Sequence, residues 1–139
     1  MITSFRGKYH FLSNFHLCCF EWQGVTFYSS ESAYQGAKSG RIEDLEKFSK
    51  YPPRVAKREG KLVKPCENWS SVKCDVMYDI LYEKFTQNED LKEKLLRTVG
   101  EEIVECNTWG DRYWGVLKGE GQNHLGKLLM ELREELQNE

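Results

Sequence analysis

Residues 28–38 read Tyr-Ser-Ser-Glu-Ser-Ala-Tyr-Gln-Gly-Ala-Lys, and the rest of the chain is organised around them. A helix begun at Ser29 or Ser30 puts Glu31, Tyr34, Gln35 and Lys38 at i, i+3, i+4 and i+7, one face at the spacing that ordinarily carries apolar residues to a core. Here that face holds a carboxylate, a phenol, an amide and an ammonium. The other side carries Ser32, Ala33, Gly36 and Ala37, which permit close approach but offer little apolar area. Such a helix must be held by its surroundings, and the pattern fits an active-site helix. The same spacing also fits a solvated face whose pairs contribute only about 0.2–0.5 kcal/mol each.

Working outward toward the N-terminus, residues 25–28 and 17–22 are rich in Phe, Cys, Trp, Val, Thr and Tyr and flank Gln23-Gly24, which predicts a two-stranded hairpin leading into the helix. Residues 9–15, Tyr-His-Phe-Leu-Ser-Asn-Phe, combine three aromatics with a Ser-Asn pair and predict a packed loop.

Toward the C-terminus, Ile42, Leu45 and Phe48 repeat at helical spacing, and Pro52-Pro53 ends that helix and starts another through Gly60. Arg54, Lys57, Arg58, Lys61 and Lys64 form the most basic part of the chain, either a solvated helix face or a hold on phosphate. Residues 69–86 carry Trp69, Val72, Val76, Met77, Ile80, Leu81 and Phe85 over a wide arc, the pattern of a core helix. Asn88 to Thr98 gives a shorter helix, and Glu102 to Cys106 alternates as a brief strand does. Leu125, Leu128, Leu129, Leu132 and Leu136 predict a terminal structural helix with Asn123 as its N-cap.

Residues 107–123 hold four glycines, two tryptophans, a tyrosine and one aspartate, far beyond the usual connection of about 4–6 residues. Trp109, Tyr113 and Trp114 can sandwich a flat heterocycle, and the start of the following helix offers N–H groups to an anion. The alternative is that the tryptophans are core and the glycines make turns.

The 139 residues fit one domain with a core of its own. A formal net charge of −2 argues against a protein that chiefly grips nucleic acid by its phosphates, while leaving a local nucleic-acid contact open. Five cysteines in no zinc or disulfide spacing read as reduced thiols, and three scattered histidines give a metal site no support. No run of residues resembles a leader or a membrane span, so a cytoplasmic protein without a membrane partner is expected. Oligomeric state is not readable.

Phe11-Leu12-Ser13-Asn14-Phe15, Ser30-Glu31-Ser32-Ala33-Tyr34-Gln35 with Lys38, Asn68-Trp69-Ser70-Ser71-Val72-Lys73 with Val76-Met77, Val104-Glu105, Asp111-Arg112-Tyr113-Trp114-Gly115, and Gly121-Gln122-Asn123-His124-Leu125-Gly126 through Arg133 resemble, in order and spacing, the YbiA-like or NADAR superfamily. The resemblance runs from about Phe5 to Leu136. It implies a compact α+β single domain, predominantly helical with a small antiparallel hairpin, spanning residues 1–139.

The implied activity is hydrolysis of the bond between ribose C1 and an exocyclic or amino nitrogen. The implied substrates are phosphorylated ribosylamino-pyrimidine intermediates of riboflavin biosynthesis or ADP-ribose attached to guanine. Glu31 is then the candidate general acid or base and Asp111 the second carboxylate, by analogy with two-carboxylate glycosidases. Lys38 is the candidate Schiff-base nucleophile, or else an ion-pair partner of Glu31 or a phosphate clamp. Tyr34 and Trp114 would stack, Gln35 and Asn123 would hold ribose hydroxyls or base edges, and Ser13, Asn14, Phe15 and Gly115 complete the substrate-binding set. No metal or organic cofactor is expected.

Two positions depart from the pattern: Ser32, where relatives often carry His or Asn, and Val116-Leu117, where some carry Asp-Gly. The second leaves Asp111 as the sole acidic side chain from Asn107 to Leu117. A module that binds ADP-ribose or a related nucleotide without cleaving it is the competing expectation.

Overall fold

A computed structural model describes residues 1–139. The architecture is α+β and predominantly helical: β1 (Phe20–Trp22), β2 (Val25–Phe27), α1 (Ser30–Ala37), α2 (Ile42–Phe48), α3 (Pro53–Gly60), α4 (Trp69–Thr86), α5 (Glu89–Leu96) and α6 (His124–Gln137), preceded by a 3-10 helix over Gly7–Leu12. Contacts divide it into two compact units, residues 14–89 and residues 1–13 with 90–139.

In the first of these units the hairpin pairs Phe20 with Phe27, Glu21 with Thr26 and Trp22 with Val25. Its two-residue turn has positive φ at both Gln23 and Gly24, the conformation whose twist matches that of the strands. Gln87 clips β1 from the side, its Oε1 accepting from the Glu21 N–H at 2.7 Å and its Nε2 donating to the Glu21 carbonyl at 2.8 Å.

The helix α1 packs against α2, α3, α4 and β2, and every residue from Ser30 to Gly36 is buried. Small residues make this enclosure sterically feasible. A Cβ on Gly36 would come 2.9 Å from the Phe48 Cβ and 3.2 Å from the Asp44 carbonyl, so α2 lies directly on the glycine. Ser29 caps the helix, its Oγ accepting from the Ser32 N–H at 3.1 Å. Below it, Trp69, Met77, Ile80, Leu81 and Phe85 of α4 are buried as the periodicity predicts, and Val72 and Val76 are half-buried. The arc also buries Lys84 completely, which periodicity does not announce.

In the other unit the buried apolar residues are Ile2, Phe11, Leu12, Leu91, Leu95, Ile103 and the α6 stripe Leu125, Leu129, Leu132 and Leu136. The strand expected at 102–106 is reduced to single bridges, Ile2 with Ile103 and Cys106 with Val116. The Ile2 N–H donates to the Glu102 carbonyl and the Val104 N–H to the Ile2 carbonyl, so the partner segment meets it over one residue and no ladder propagates. The packed loop expected at 9–15 begins as the 3-10 helix, which buries Phe11 and Leu12. No helix is long and apolar enough to cross a membrane.

Candidate active-site helix and aromatic loop

The N-terminus of α1 is docked by Asn14. Its carbonyl accepts from the Glu31 N–H at 3.0 Å, its Oδ1 accepts from Ser30 Oγ at 2.8 Å, and its Nδ2 reaches Met77 Sδ at 3.8 Å. Asn14 is buried and fixes the first turn of α1, satisfying a donor that the helix itself leaves orphaned. Ser32 turns back on the cap, donating to the Ser29 carbonyl at 3.0 Å.

One turn on, Gln35 Nε2 donates to Glu31 Oε2 at 2.7 Å. Both side chains are buried, and Gln35 Oε1 has no partner. Lys38 caps the C-terminal end of α1, and its ammonium donates to the Gly60 carbonyl at 3.2 Å. Burial pulls the Lys38 ammonium below the ordinary lysine value of 10.5, the Glu31 carboxylate opposes that shift, and Lys73 reinforces it. The predicted face thus brings Glu31, Gln35 and Lys38 together. Tyr34, on the same face, packs its ring at 5.3 Å from Trp69 and is buried, which makes it part of the wall. Phe15 lies under Lys57, whose ammonium is 5.8 Å from the ring centroid.

The loop at 107–123 is a scaffold built on the half-buried Asp111 and on the buried Asn107, Glu105 and Asn123. Asp111 Oδ1 accepts from the Tyr113 and Trp114 N–H groups at 3.0 and 2.9 Å. Asn107 ties the loop base, donating to Glu105 Oε2 at 2.9 Å and to the Asp111 carbonyl at 2.8 Å. Gly115 is required by close approach: a Cβ there would strike the Glu105 carboxylate and carbonyl and come 2.6 Å from Asn107 Nδ2.

Asn123 stands at the start of α6 in the left-handed region (φ 53°) and makes no side-chain cap. Its Oδ1 accepts from the Glu105 N–H at 2.9 Å and its Nδ2 donates to the Ile103 carbonyl at 3.0 Å, so the expected N-cap role is replaced by a bridge to residues 103–105. The anion site expected at the α6 N-terminus is likewise taken up internally, because the His124 and Leu125 N–H groups donate to the Tyr113 and Trp114 carbonyls. Tyr113 packs at 4.9 Å from Trp114 and 4.4 Å from His124, while Trp109 is exposed. Ser13 is half-buried at the end of the 3-10 helix, its N–H donating to the His10 carbonyl.

Glu105 is a second buried acid, quoted within a matching motif but given no site role in the sequence reading. Its place in an alternating segment made it look like a strand residue, and Gly115, which closes over it beside Asn107, is ten residues further along the chain. No group of three or more His, Cys, Asp or Glu side chains is arranged to hold a metal ion.

The chain is 41% identical over 130 residues to the N-glycosidase YbiA of Escherichia coli (strain K12), covering 89% of this chain and 79% of that protein. It is 35% identical over 133 residues to the riboflavin biosynthesis protein VVA0006 of Vibrio vulnificus (strain YJ016), covering 91% of this chain and 35% of that longer protein. The NMR structure of E. coli YbiA superposes with a TM-score of 0.86 at 36% identity, over 99% of this chain and 86% of that one. A family model for the NADAR domain matches residues 3–137, running through the docked helix and the aromatic loop alike, and on that match the chain belongs to the NADAR domain family.

Proposed function

We propose that this protein is an N-glycosidase, a hydrolase that cleaves the bond between ribose C1 and nitrogen in a nucleotide-like substrate. The observation that carries the reading is the set on α1: a buried carboxylate oriented by an amide, with a half-buried lysine one turn further whose ammonium is destabilised by burial. A solvated face of ordinary pairs has neither the burial nor the shift.

An N-ribosylamine opens to an imine at C1. The neutral Lys38 amine adds to C1, and the substrate nitrogen takes a proton and leaves as the free amine, so one C–N bond forms as another breaks. Water then adds to the lysine imine, and C1 departs as the aldehyde of free ribose, regenerating Lys38. Glu31, held by Gln35, donates the proton to the departing nitrogen and later takes one from the water. Gln35 orients Glu31 and Asn14 sets the register of the helix. In the loop we assign Asp111 to holding Tyr113 and Trp114 in place, Trp114 to stacking on a flat base, and Asn123 to bracing residues 103–105. No step calls for a cofactor.

For the substrate, the riboflavin-related name of the Vibrio relative favours a phosphorylated ribosylamino-pyrimidine. ADP-ribosyl-guanine is the second reading, favoured by the exposed Trp109 and by the exposed Arg54, Arg58, Lys61 and Lys64 in and beyond α3. The test is mass spectrometry of the purified protein with both substrates side by side. Release of ribose 5-phosphate identifies a metabolite hydrolase, and release of ADP-ribose a hydrolase of modified guanine. Tight binding of either substrate without release of free ribose product would replace the enzyme with a binding module.

A further inference from the structure

We propose that Gly60, at the C-terminal end of α3, is the positioning residue that sets Glu31, Gln35 and Lys38 in their working arrangement, a role that rests on reading those three as the reacting set. Gly60 touches the set twice. Its carbonyl accepts the Lys38 ammonium at 3.2 Å, where the negative end of the α3 dipole favours a cation. Its missing side chain is the space into which Gln35 extends: a Cβ would overlap Gln35 Oε1 and stand 2.6 Å from Cδ and 3.1 Å from Cβ of the same residue.

Gln35 Oε1 is buried without a hydrogen-bond partner. The Gly60 α-hydrogen standing where a Cβ would be points at this oxygen, a weak C–H···O contact of a kind no other residue supplies at this approach. Reversing the amide would turn its oxygen onto Glu31 Oε2, so the donor must face Glu31 and the acceptor must face Gly60. With Cβ as well as the terminal oxygen in the way, the amide has no small adjustment available. The amide is thereby driven off Glu31 and that hydrogen bond is lost, whereas a shift of α3 away from α1 would spare the bond within α1 and withdraw the Gly60 carbonyl from Lys38 instead. The backbone gives no independent reason for glycine, because Gly60 does not adopt a positive φ.

The test compares Gly60→Ala, Gln35→Ala and the double variant with the parent protein by 13C NMR titration of the Glu31 carboxyl, assigned with Glu31→Gln. Loss of the amide donor disfavours the carboxylate, so the Glu31 midpoint rises by about one pH unit in Gly60→Ala. It rises equally in Gln35→Ala, with no further rise in the double variant. Lys38 and Lys73 keep their side chains in all of these proteins and Asp44 of α2 accepts from Ser39, so Gln35→Ala and the double variant separate the amide from the Lys38 contact. Turnover falls in parallel, by tenfold or more.

An unchanged midpoint in Gly60→Ala, or additive shifts in the double variant, overturns the proposal. If Gly60→Ala does not fold, recovery of folding in the double variant supports the overlap with Gln35, and failure of both overturns it. The titration needs no substrate: a parent protein that releases no product from any ribosylamine refutes the glycosidase reading, while the titration still decides the role of Gly60.

Discussion

Gln35 Nε2 lies 2.7 Å from Glu31 Oε2 on the next turn of α1, with the two residues only 7% and 8% exposed. A charge-assisted bond from a buried amide fixes the orientation of the carboxylate as well as favouring its ionised form. Glu31→Gln therefore removes the proposed proton carrier while preserving shape, and turnover should fall by about 10²–10⁴-fold. Circular dichroism and melting temperature should stay close to the parent. Retention of more than a tenth of the parental rate would remove Glu31 from the mechanism.

Lys38 should be captured covalently. Borohydride added during turnover reduces a lysine imine to a stable secondary amine, and peptide mass spectrometry should place the ribosyl adduct on Lys38. Lys38→Arg keeps a cation but has no accessible neutral amine, so it should show neither adduct nor turnover. Because burial holds the Lys38 ammonium below its ordinary value, the rate limited by its attack should rise as pH climbs through that lowered value and level off before the range of an exposed lysine. A pH–rate profile that keeps rising to 10.5 would mean an ordinary lysine.

Lys84 is fully buried in α4, and burial pushes it down to about 8 from 10.5, with Cys18 opposing the shift. Between those two values the unfolded chain binds a proton that the folded chain does not, so unfolding free energy should rise with pH across this window. The full span is about 3 kcal/mol at 1.36 kcal/mol per pH unit. Lys84→Met should lack that rise, and the difference between the two proteins in urea unfolding at pH 7.5 and 10 measures it. Parallel curves for the two proteins would show that Lys84 titrates normally.

Asn123 serves two buried backbone groups at once. Asn123→Ala leaves the Glu105 N–H and the Ile103 carbonyl without partners and puts alanine at a positive φ. The expected loss is about 2–6 kcal/mol, at about 1–3 kcal/mol for each of the two unsatisfied groups. Asn123→Asp restores the acceptor alone and should recover part of the loss. Chemical denaturation of the three proteins checks both, and a loss under 0.5 kcal/mol for alanine would show that water replaces the amide.

Much of the fold was legible in local sequence. The α6 leucine stripe, the α4 arc and the Gln23-Gly24 turn follow from periods of 3.6 and 2 and from the φ that a tight turn demands, all of which act over a few residues. The segment at 102–106 misled because alternation describes a side-chain pattern, whereas a strand needs a partner, and Ile2 pairs with Ile103 alone.

The site divides along the same line. Spacing alone put Glu31, Gln35 and Lys38 on one face, since a helix fixes their angular relation whatever surrounds it. Whether that face met water or protein was decided by packing: α2 closing on Gly36, α3 on Gln35, and burial then lowering the basicity of Lys38. Asn123 and Glu105 show the other half of the division. Their chemistry was visible as residue types, but an asparagine becomes a cap, a ligand contact or a backbone brace according to which distant N–H and carbonyl groups reach it, and only the tertiary structure brings those groups within hydrogen-bonding distance.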